Sequence, residues 1–381
     1  MTEAVILDAV RTAIGKNRGA LKDWRSDDLL GLVFKSLVER NPSVNPDTID
    51  DAIVGCVTQT QEQGMNIARL GVLNANLSVD IPGVSLNRMC GSGLQAYNFG
   101  AQGVIAGSYD LVVTGGVETM TRVPMMSDAA EPSETIKRNH HIVGQGVSAE
   151  LIAERWGLTR EELDALSLES HNRLGKATKA GYFDSQIIPV PVQTANGTEM
   201  FKHDEGYRPN TSMEKLGNLK PAFKQPDGLV TAGNSSQISD GASAVLVSSR
   251  EKADELGIKP RARFVGSALA GVDPTIMLTA PMPATEKVLK RAKLTINDMD
   301  VIEINEAFAS VVLAFASDLK PDMKKLNPNG GAIAHGHPLG CTGSVLLTKT
   351  LNELERTGGR YGLMTMCIGF GQGIATIIER L

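Results

Sequence analysis

The run Asn329-Gly330-Gly331-Ala332-Ile333-Ala334-His335-Gly336-His337-Pro338-Leu339-Gly340-Cys341 sets histidine in glycine-rich backbone, the composition of chain folded closely about a reactive ring. Two cysteines stand in similar frames: Cys90 in Asn87-Arg88-Met89-Cys90-Gly91-Ser92-Gly93, and Cys367 in Met366-Cys367-Ile368-Gly369-Phe370-Gly371-Gln372-Gly373. Together they point to acyl transfer through a cysteine. Cys90 lies where a tight turn enters a helix, so free backbone N–H groups and the helix dipole are expected to lower its pKa and to hold an oxyanion. His337, kept extended by Pro338, suits a base acting on a thiol. His335, two residues back on an extended segment, is expected to face the other way and to serve as support. Cys367 ends an apolar strand beside Gly369, whose bare backbone can aim an N–H at a reacting oxygen, and a second thiol there could move a proton. Asn305 follows the strand-like run Val301 to Ile304, where an amide side chain can fix a water or a carbonyl. Taken singly, each has a blander reading: a free cysteine is usually a small buried hydrophobe and a lone histidine a satisfied turn residue. Cys56 and Cys341 are assigned to packing.

The elements that must position these residues occur twice. Ala4 to Arg11 reads as a strand, and Leu29, Leu30, Val33, Phe34 and Leu37 fall at helical spacing between Ser26 and Arg40. A second strand spans 52–57, Cys90-Gly91-Ser92-Gly93 opens a helix to about Ala106, and Asp110 to Gly116 forms a strand. The later counterparts are a strand at 262–267, a helix at 284–292, the strand Val301 to Ile304, a helix opened by Cys341-Thr342-Gly343-Ser344, and a strand at 362–367. Two βαβα-type halves with layered helices and mixed sheets define a duplicated α/β protein. The predicted division is 1–120 for the amino-terminal half, continued by 238–256, and 257–381 for the carboxy-terminal half. Between them, 121–237 is polar and punctuated by proline, which predicts an inserted loop-rich domain with one good helix, capped by Thr159-Arg160-Glu161-Glu162. Such insertions often bind substrate.

The bulk numbers bound the function. A chain of 381 residues with 42% hydrophobic side chains fills more than one core. A net charge of -5 with both signs interspersed offers no basic face to nucleic acid. No apolar run approaches membrane-spanning length, so no membrane insertion is expected. The amino terminus lacks a signal-peptide pattern, and the four cysteines show neither zinc spacing nor a disulfide framework, which predicts reduced thiols in the cytoplasm. Neither a Gly-x-Gly-x-x-Gly nor a P-loop follows the first strand, which excludes a dinucleotide fold.

These blocks, together with Val10-Arg11-Thr12, Asn305-Glu306-Ala307-Phe308, Gly336-His337-Pro338 and Cys367-Ile368-Gly369, resemble the thiolase family over nearly the whole chain. The resemblance implies a duplicated five-layered α-β-α-β-α fold with an inserted, CoA-binding loop domain. It implies thiolytic cleavage of 3-ketoacyl-CoA by CoA, as in fatty-acid β-oxidation, with CoA as a substrate and no metal or redox cofactor. In that scheme Cys90 is the nucleophile, His337 its base and Cys367 the second acid–base group. One oxyanion hole uses His337 and a water on Asn305; the other uses the N–H groups of Cys90 and Gly369. Ser236 and Ala232 would meet the pantetheine arm, Arg208 the nucleotide end, and Met277 and Phe308 the acyl channel. A homodimer is implied; a tetramer is less expected because the insert between Met120 and Glu150 is short, and a complex with a hydratase–dehydrogenase subunit is a further possibility. Gly144-Gln145-Gly146 stands where acetoacetyl-specific members carry His-Met before glycine, which favours a degradative enzyme over a biosynthetic acetoacetyl-CoA thiolase. A non-catalytic CoA- or lipid-binding relative should lack a catalytic group, and a ketoacyl synthase would lack the second cysteine.

Overall fold

The structure is a computed structural model and describes residues 2–381. Nine strands form the backbone of one eleven-stranded sheet: β1 (Ala4–Thr12), β2 (Asp51–Gly55), β3 (Gly83–Leu86), β4 (Leu111–Thr119), β5 (Ser239–Ser249), β6 (Ala262–Gly271), β7 (Val301–Ile304), β8 (Tyr361–Ile368) and β9 (Gln372–Arg380). Their spatial order is β7-β8-β9-β6-β1-β5-β4-β2-β3. The duplication is visible in the pairing. β1–β5 and β5–β4 are antiparallel and β4–β2 parallel; correspondingly β6–β9 and β9–β8 are antiparallel and β8–β7 parallel. The two mixed sheets expected from the sequence are joined into one at an antiparallel seam, Val5↔Arg263 and Ile6↔Ala262.

Eight helices matter to the site: α1 (Ser26–Glu39), α2 (Ile67–Asn74), α3 (Ser92–Ile105), α4 (Gln145–Arg155), α5 (Arg160–Lys179), α6 (Pro281–Ala292), α7 (Ala309–Leu319) and α8 (Leu339–Thr357). α1 buries one apolar face, with Leu29, Leu30, Val33, Phe34 and Leu37 against the amino-terminal sheet. α6 and α7 cover the carboxy-terminal sheet in the same way. α3 and α8 are different: both are buried almost all round, because they form the middle layer, with Leu94, Tyr97, Leu346 and Leu351 in one cluster that reaches strands of both halves. The layers therefore run helix, sheet, helix pair, sheet, helix. Strands buried on two faces carry near-continuous apolar runs, as in Gly362-Leu363-Met364-Thr365-Met366-Cys367-Ile368 of β8.

The insert departs from expectation. The capping box of α5 forms as read, with the Thr159 hydroxyl accepting from the Glu162 N–H and the Glu162 carboxylate accepting from the Thr159 N–H. A second substantial helix, α4, precedes it; its buried positions include the small residues Gly146, Ser148, Ala149 and Ala153, so its apolar periodicity is faint in the sequence. A hairpin, Val190–Thr194 with Gly197–Phe201, follows. Cys56 lies just beyond the end of β2 rather than inside a strand. No helix among the described residues is long and apolar enough to cross a membrane.

Candidate active site

Cys90 sits in a turn two residues ahead of α3. Met89 has φ 46°, a left-handed conformation disfavoured by its Cβ, and the surrounding bonds hold it there. The Arg88 N–H donates to Ser92 Oγ (2.9 Å), which donates to the Met89 carbonyl (2.6 Å), while the Asn87 side chain accepts from the Met89 N–H (2.7 Å) and donates to the Val57 carbonyl (2.9 Å).

Glycine brings the base to this turn. α3 and α8 cross at their first turns, where a Cβ on Gly93 would lie 2.7 Å from the Gly340 carbonyl oxygen and one on Gly343 only 2.2 Å from the Leu94 nitrogen. Each of these glycines is three to six residues from its reactive side chain, so the crossing delivers Cys90 and His337 to one end of the middle layer. Glu118, at the end of β4, fixes the arrangement: its buried carboxylate accepts from the N–H groups of Val57, Thr58 and Gly340 and from the Gln63 amide.

The protonation of His337 follows from its partners. Thr342 Oγ is 2.6 Å from His337 Nδ1 and donates its single proton to the Pro338 carbonyl (2.8 Å), so it must accept from Nδ1–H. Nε2 then carries the lone pair, and the Asn305 side-chain N–H is 3.2 Å from it. Burial pushes the His337 pKa down to about 4, so the ring is neutral near pH 7. Asn305 Oδ1 is buried and has no partner among the described residues, leaving it available as an acceptor. The Asn305 turn is clamped by Asn327, which accepts from the Ile304 N–H (2.8 Å) and donates to the Ile304 carbonyl (2.9 Å).

Cys367 is the next-to-last residue of β8, and Gly369 follows at the start of the turn to β9. Burial raises the Cys367 pKa, and a charge on Cys90 raises it further; the two turns meet, for a Cβ on Gly91 would lie 2.5 Å from Ile368 Cδ1 and one on Gly369 3.4 Å from Met89 Cε. Burial also pushes Cys90 up to about 12; its own N–H, the Gln145 side chain and the Gly369 N–H act in the opposite direction. This corrects the expectation of a low-pKa thiol, because desolvation of a fully enclosed sulfur outweighs the donors at the helix start.

His335 does not lie on extended chain: Ala332–His335 is a helical turn, ended by Gly336 at φ 105°. Its ring nonetheless points elsewhere, with Nδ1 2.8 Å from the Gly336 carbonyl and Nε2 3.5 Å from Lys349 Nζ. Lys349 is buried and pairs with Glu303 (2.9 Å) and the Gly330 carbonyl (2.6 Å). Glu306 ties the insert to this loop, accepting from Ser170 Oγ (2.6 Å) of α5 and from the Ile333 N–H (3.1 Å).

Two of the anticipated CoA contacts come together. Arg208 and Ala232 line a cleft of about 280 Å³ with His171, Lys215, Gln237 and Ile333. Ser236 is outside this lining; its N–H donates to the Ala307 carbonyl (2.9 Å). Met277 and Phe308 are buried in the carboxy-terminal core cluster that contains Cys367, and Phe308 meets Phe223 edge to face at 6.0 Å. A larger opening of about 670 Å³ between α5 and the end of α8 is lined by none of the reacting groups.

Thr342 and Glu118 were not singled out in the sequence, and Gln145 entered only as part of the Gly144-Gln145-Gly146 block. Only Thr342 left a signal, a hydroxyl five residues beyond the histidine across a proline-led helix start.

A cysteine turn and a histidine loop at the crossing of two pseudo-equivalent helices, with a second thiol beside them, define an acyl-transfer site of the thiolase type. The thiolase amino-terminal domain matches residues 4–251 and the carboxy-terminal domain residues 258–380, and the chain belongs to the thiolase family. It is 47% identical to a 3-ketoacyl-CoA thiolase of Vibrio vulnificus, over 100% of both chains. It is 46% identical to the steroid 3-ketoacyl-CoA thiolase FadA6 of Mycobacterium tuberculosis, over 100% of this chain and 95% of that one. The acetyl-CoA acetyltransferase of Bacillus anthracis superposes with a TM-score of 0.92 at 38% identity, covering 100% of this chain and 99% of the other.

Proposed function

We propose that this enzyme cleaves 3-ketoacyl-CoA with CoA, releasing acetyl-CoA and an acyl-CoA two carbons shorter, in the degradative direction. The observation that carries the reading is that the turns bearing two buried thiols, Cys90 and Cys367, meet, Gly91 against Ile368 and Gly369 against Met89, an arrangement that two-step acyl transfer can use and a single-cysteine synthase site lacks. His337 Nε2 takes the proton of Cys90, and the sulfur attacks the keto carbon. The bond between C2 and C3 breaks, leaving the acyl group on Cys90 as a thioester and electron density on C2. Cys367 gives its proton to C2, and acetyl-CoA departs. Its raised pKa suits this role, because the thiol stays protonated until a carbanion needs it. Cys367 then takes the proton of incoming CoA, whose sulfur attacks the thioester, and Cys90 leaves, taking its proton back from His337. The Cys90 and Gly369 N–H groups hold one developing oxyanion; His337 with a water on Asn305 holds the other. Neither step calls for a metal or redox cofactor.

CoA enters along the insert, with Arg208 at its phosphates, Ala232 and Ser236 along pantetheine, and Met277 and Phe308 facing the acyl end. The enzyme works in the cytoplasm as a homodimer. β3 supports the dimer: among the described residues it is an edge strand paired only with β2, it leads directly into the Cys90 turn, and it carries the exposed Val84. Thiolysis measured across 3-ketoacyl-CoA chain lengths, beside acetoacetyl-CoA and the reverse condensation, tests the reading. Activity confined to acetoacetyl-CoA would favour the biosynthetic alternative, and no thiolysis at any length would overturn it.

A further inference from the structure

Thr342, Lys349 and Glu353 fall on one face of α8, and together they hold the histidine loop along its length. Thr342 receives the His337 ring at 2.6 Å. Lys349 Nζ donates to the Gly330 carbonyl (2.6 Å) and lies 3.5 Å from His335 Nε2, and Glu353 accepts from the Asn329 side-chain N–H at 2.8 Å. Of the three, only Lys349 also bonds to β7, where it donates to Glu303 at 2.9 Å. Lys349 is the sole partner of the Glu303 carboxylate among the described residues, for the second Glu303 oxygen is buried and unpaired. Glu303 stands two residues before Asn305, whose N–H continues the ladder to the Thr365 carbonyl (3.0 Å). Both side chains therefore project from one face of the strand end.

We infer that Lys349 is a positioning residue for the base. It fastens the loop that carries His337 to the strand end that carries Asn305, and so sets the approach of the Asn305 amide to His337 Nε2, 3.2 Å apart. The inference rests on His337 being the group that takes the Cys90 proton. Stability does not call for a charge at this place. The Lys349 and Glu303 side chains are 1% and 0% exposed, beside Leu346, Leu347 and Leu351 of the middle layer. An ion pair so enclosed returns little more than its desolvation costs, and apolar side chains of similar volume commonly serve as well. What the pair adds is direction: one ammonium with three donors binds the loop at Gly330 and the strand at Glu303 at the same time.

The test is a double-mutant cycle on the single-turnover rate of Cys90 acylation, with Lys349→Met, Thr342→Val and the two combined. Lys349→Met should slow acylation by about tenfold or more, toward the roughly hundredfold that a shift of about 1 Å can cost. The KM for 3-ketoacyl-CoA should stay near wild type, because the cleft at Arg208 is lined by neither Lys349 nor Glu303. Both substitutions act on the seat of one ring, so the combined variant should be slower than Thr342→Val alone by no more than about threefold. Wild-type acylation by Lys349→Met, or effects that simply multiply, overturns the inference. Lys349→Met alone strands the Glu303 carboxylate, so the cycle is repeated with Glu303→Met added to every protein that carries Lys349→Met. The apolar pair should melt close to wild type and still acylate slowly. An apolar pair that acylates at the wild-type rate, or that does not fold, shows a stabilising contact only and also overturns the inference. If His337→Gln acylates like wild type, the assignment of the base is what fails.

Discussion

Replacing Thr342 by valine tests the chain of bonds that makes His337 a base. Valine keeps the shape but removes the acceptor 2.6 Å from Nδ1. The Pro338 carbonyl loses one donor yet keeps the N–H groups of Cys341 (3.0 Å) and Thr342 (2.9 Å), so the start of α8 remains bonded. The loss therefore falls on the ring. While His337 is neutral, an unpartnered buried Nδ1–H costs about 1–3 kcal/mol and frees the ring to put its proton on Nε2, where it cannot act as a base. Once the ring takes the Cys90 proton, the missing bond is to a charged donor, worth about 1.5–3 kcal/mol. At about 1.4 kcal/mol per factor of ten, acylation should slow by roughly 10- to 150-fold. Rapid-quench measurement of the acyl-enzyme in a single turnover isolates this step, and Thr342→Ser should restore most of the rate. Acylation by Thr342→Val within about twofold of wild type would refute both the tautomer and the part assigned to Thr342.

The two thiols should separate by substitution: Cys90→Ala should give no acetyl adduct by intact mass after incubation with acetyl-CoA, whereas Cys367→Ala should still be acetylated but lose exchange of the C2 protons. Acidification should destabilise the protein. Above pH 6.5 His337 is neutral in both folded and unfolded chains, but between 6.5 and about 4 only the unfolded chain takes up the proton, so stability falls with pH by on the order of 3 kcal/mol for this residue. Thermal melts from pH 7 to pH 4 should show that loss, and His337→Gln should shrink it. Gly343→Ala would drive a Cβ into the Leu94 backbone; melting should report a loss of about 1–3 kcal/mol or more, with activity falling further as the helix crossing spreads.

The duplicated elements were legible in the sequence because their signals are local. The strand Val301 to Ile304, the start of α3 and the capping box of α5 each follow from hydrophobic period or capping chemistry within a few residues. Cys90, His337, Cys367 and Asn305 stood out because glycine-rich or strand-end contexts mark them. What could not be read depends on contacts between distant segments. The acidity of Cys90 is governed by how much protein encloses the sulfur, the sheet seam by Val5 meeting Arg263, and the position of Gln145 by how α4 packs against the Gly369 turn. α4 itself escaped notice because small residues fill its buried face.

The place of β5 has a consequence for the growing chain. β5 lies between β1 and β4, yet residues 239–249 are made only after the whole insert. Until the ribosome delivers them, β1 and β4 each present a bare edge, and the amino-terminal half cannot close as an independent unit. The partner strand for both edges arrives from far along the chain, a pairing of high contact order that slows folding and prolongs exposure of those edges. During synthesis the insert is therefore a delay before the first sheet can be completed, and chaperone occupancy of nascent chains should persist until β5 has emerged.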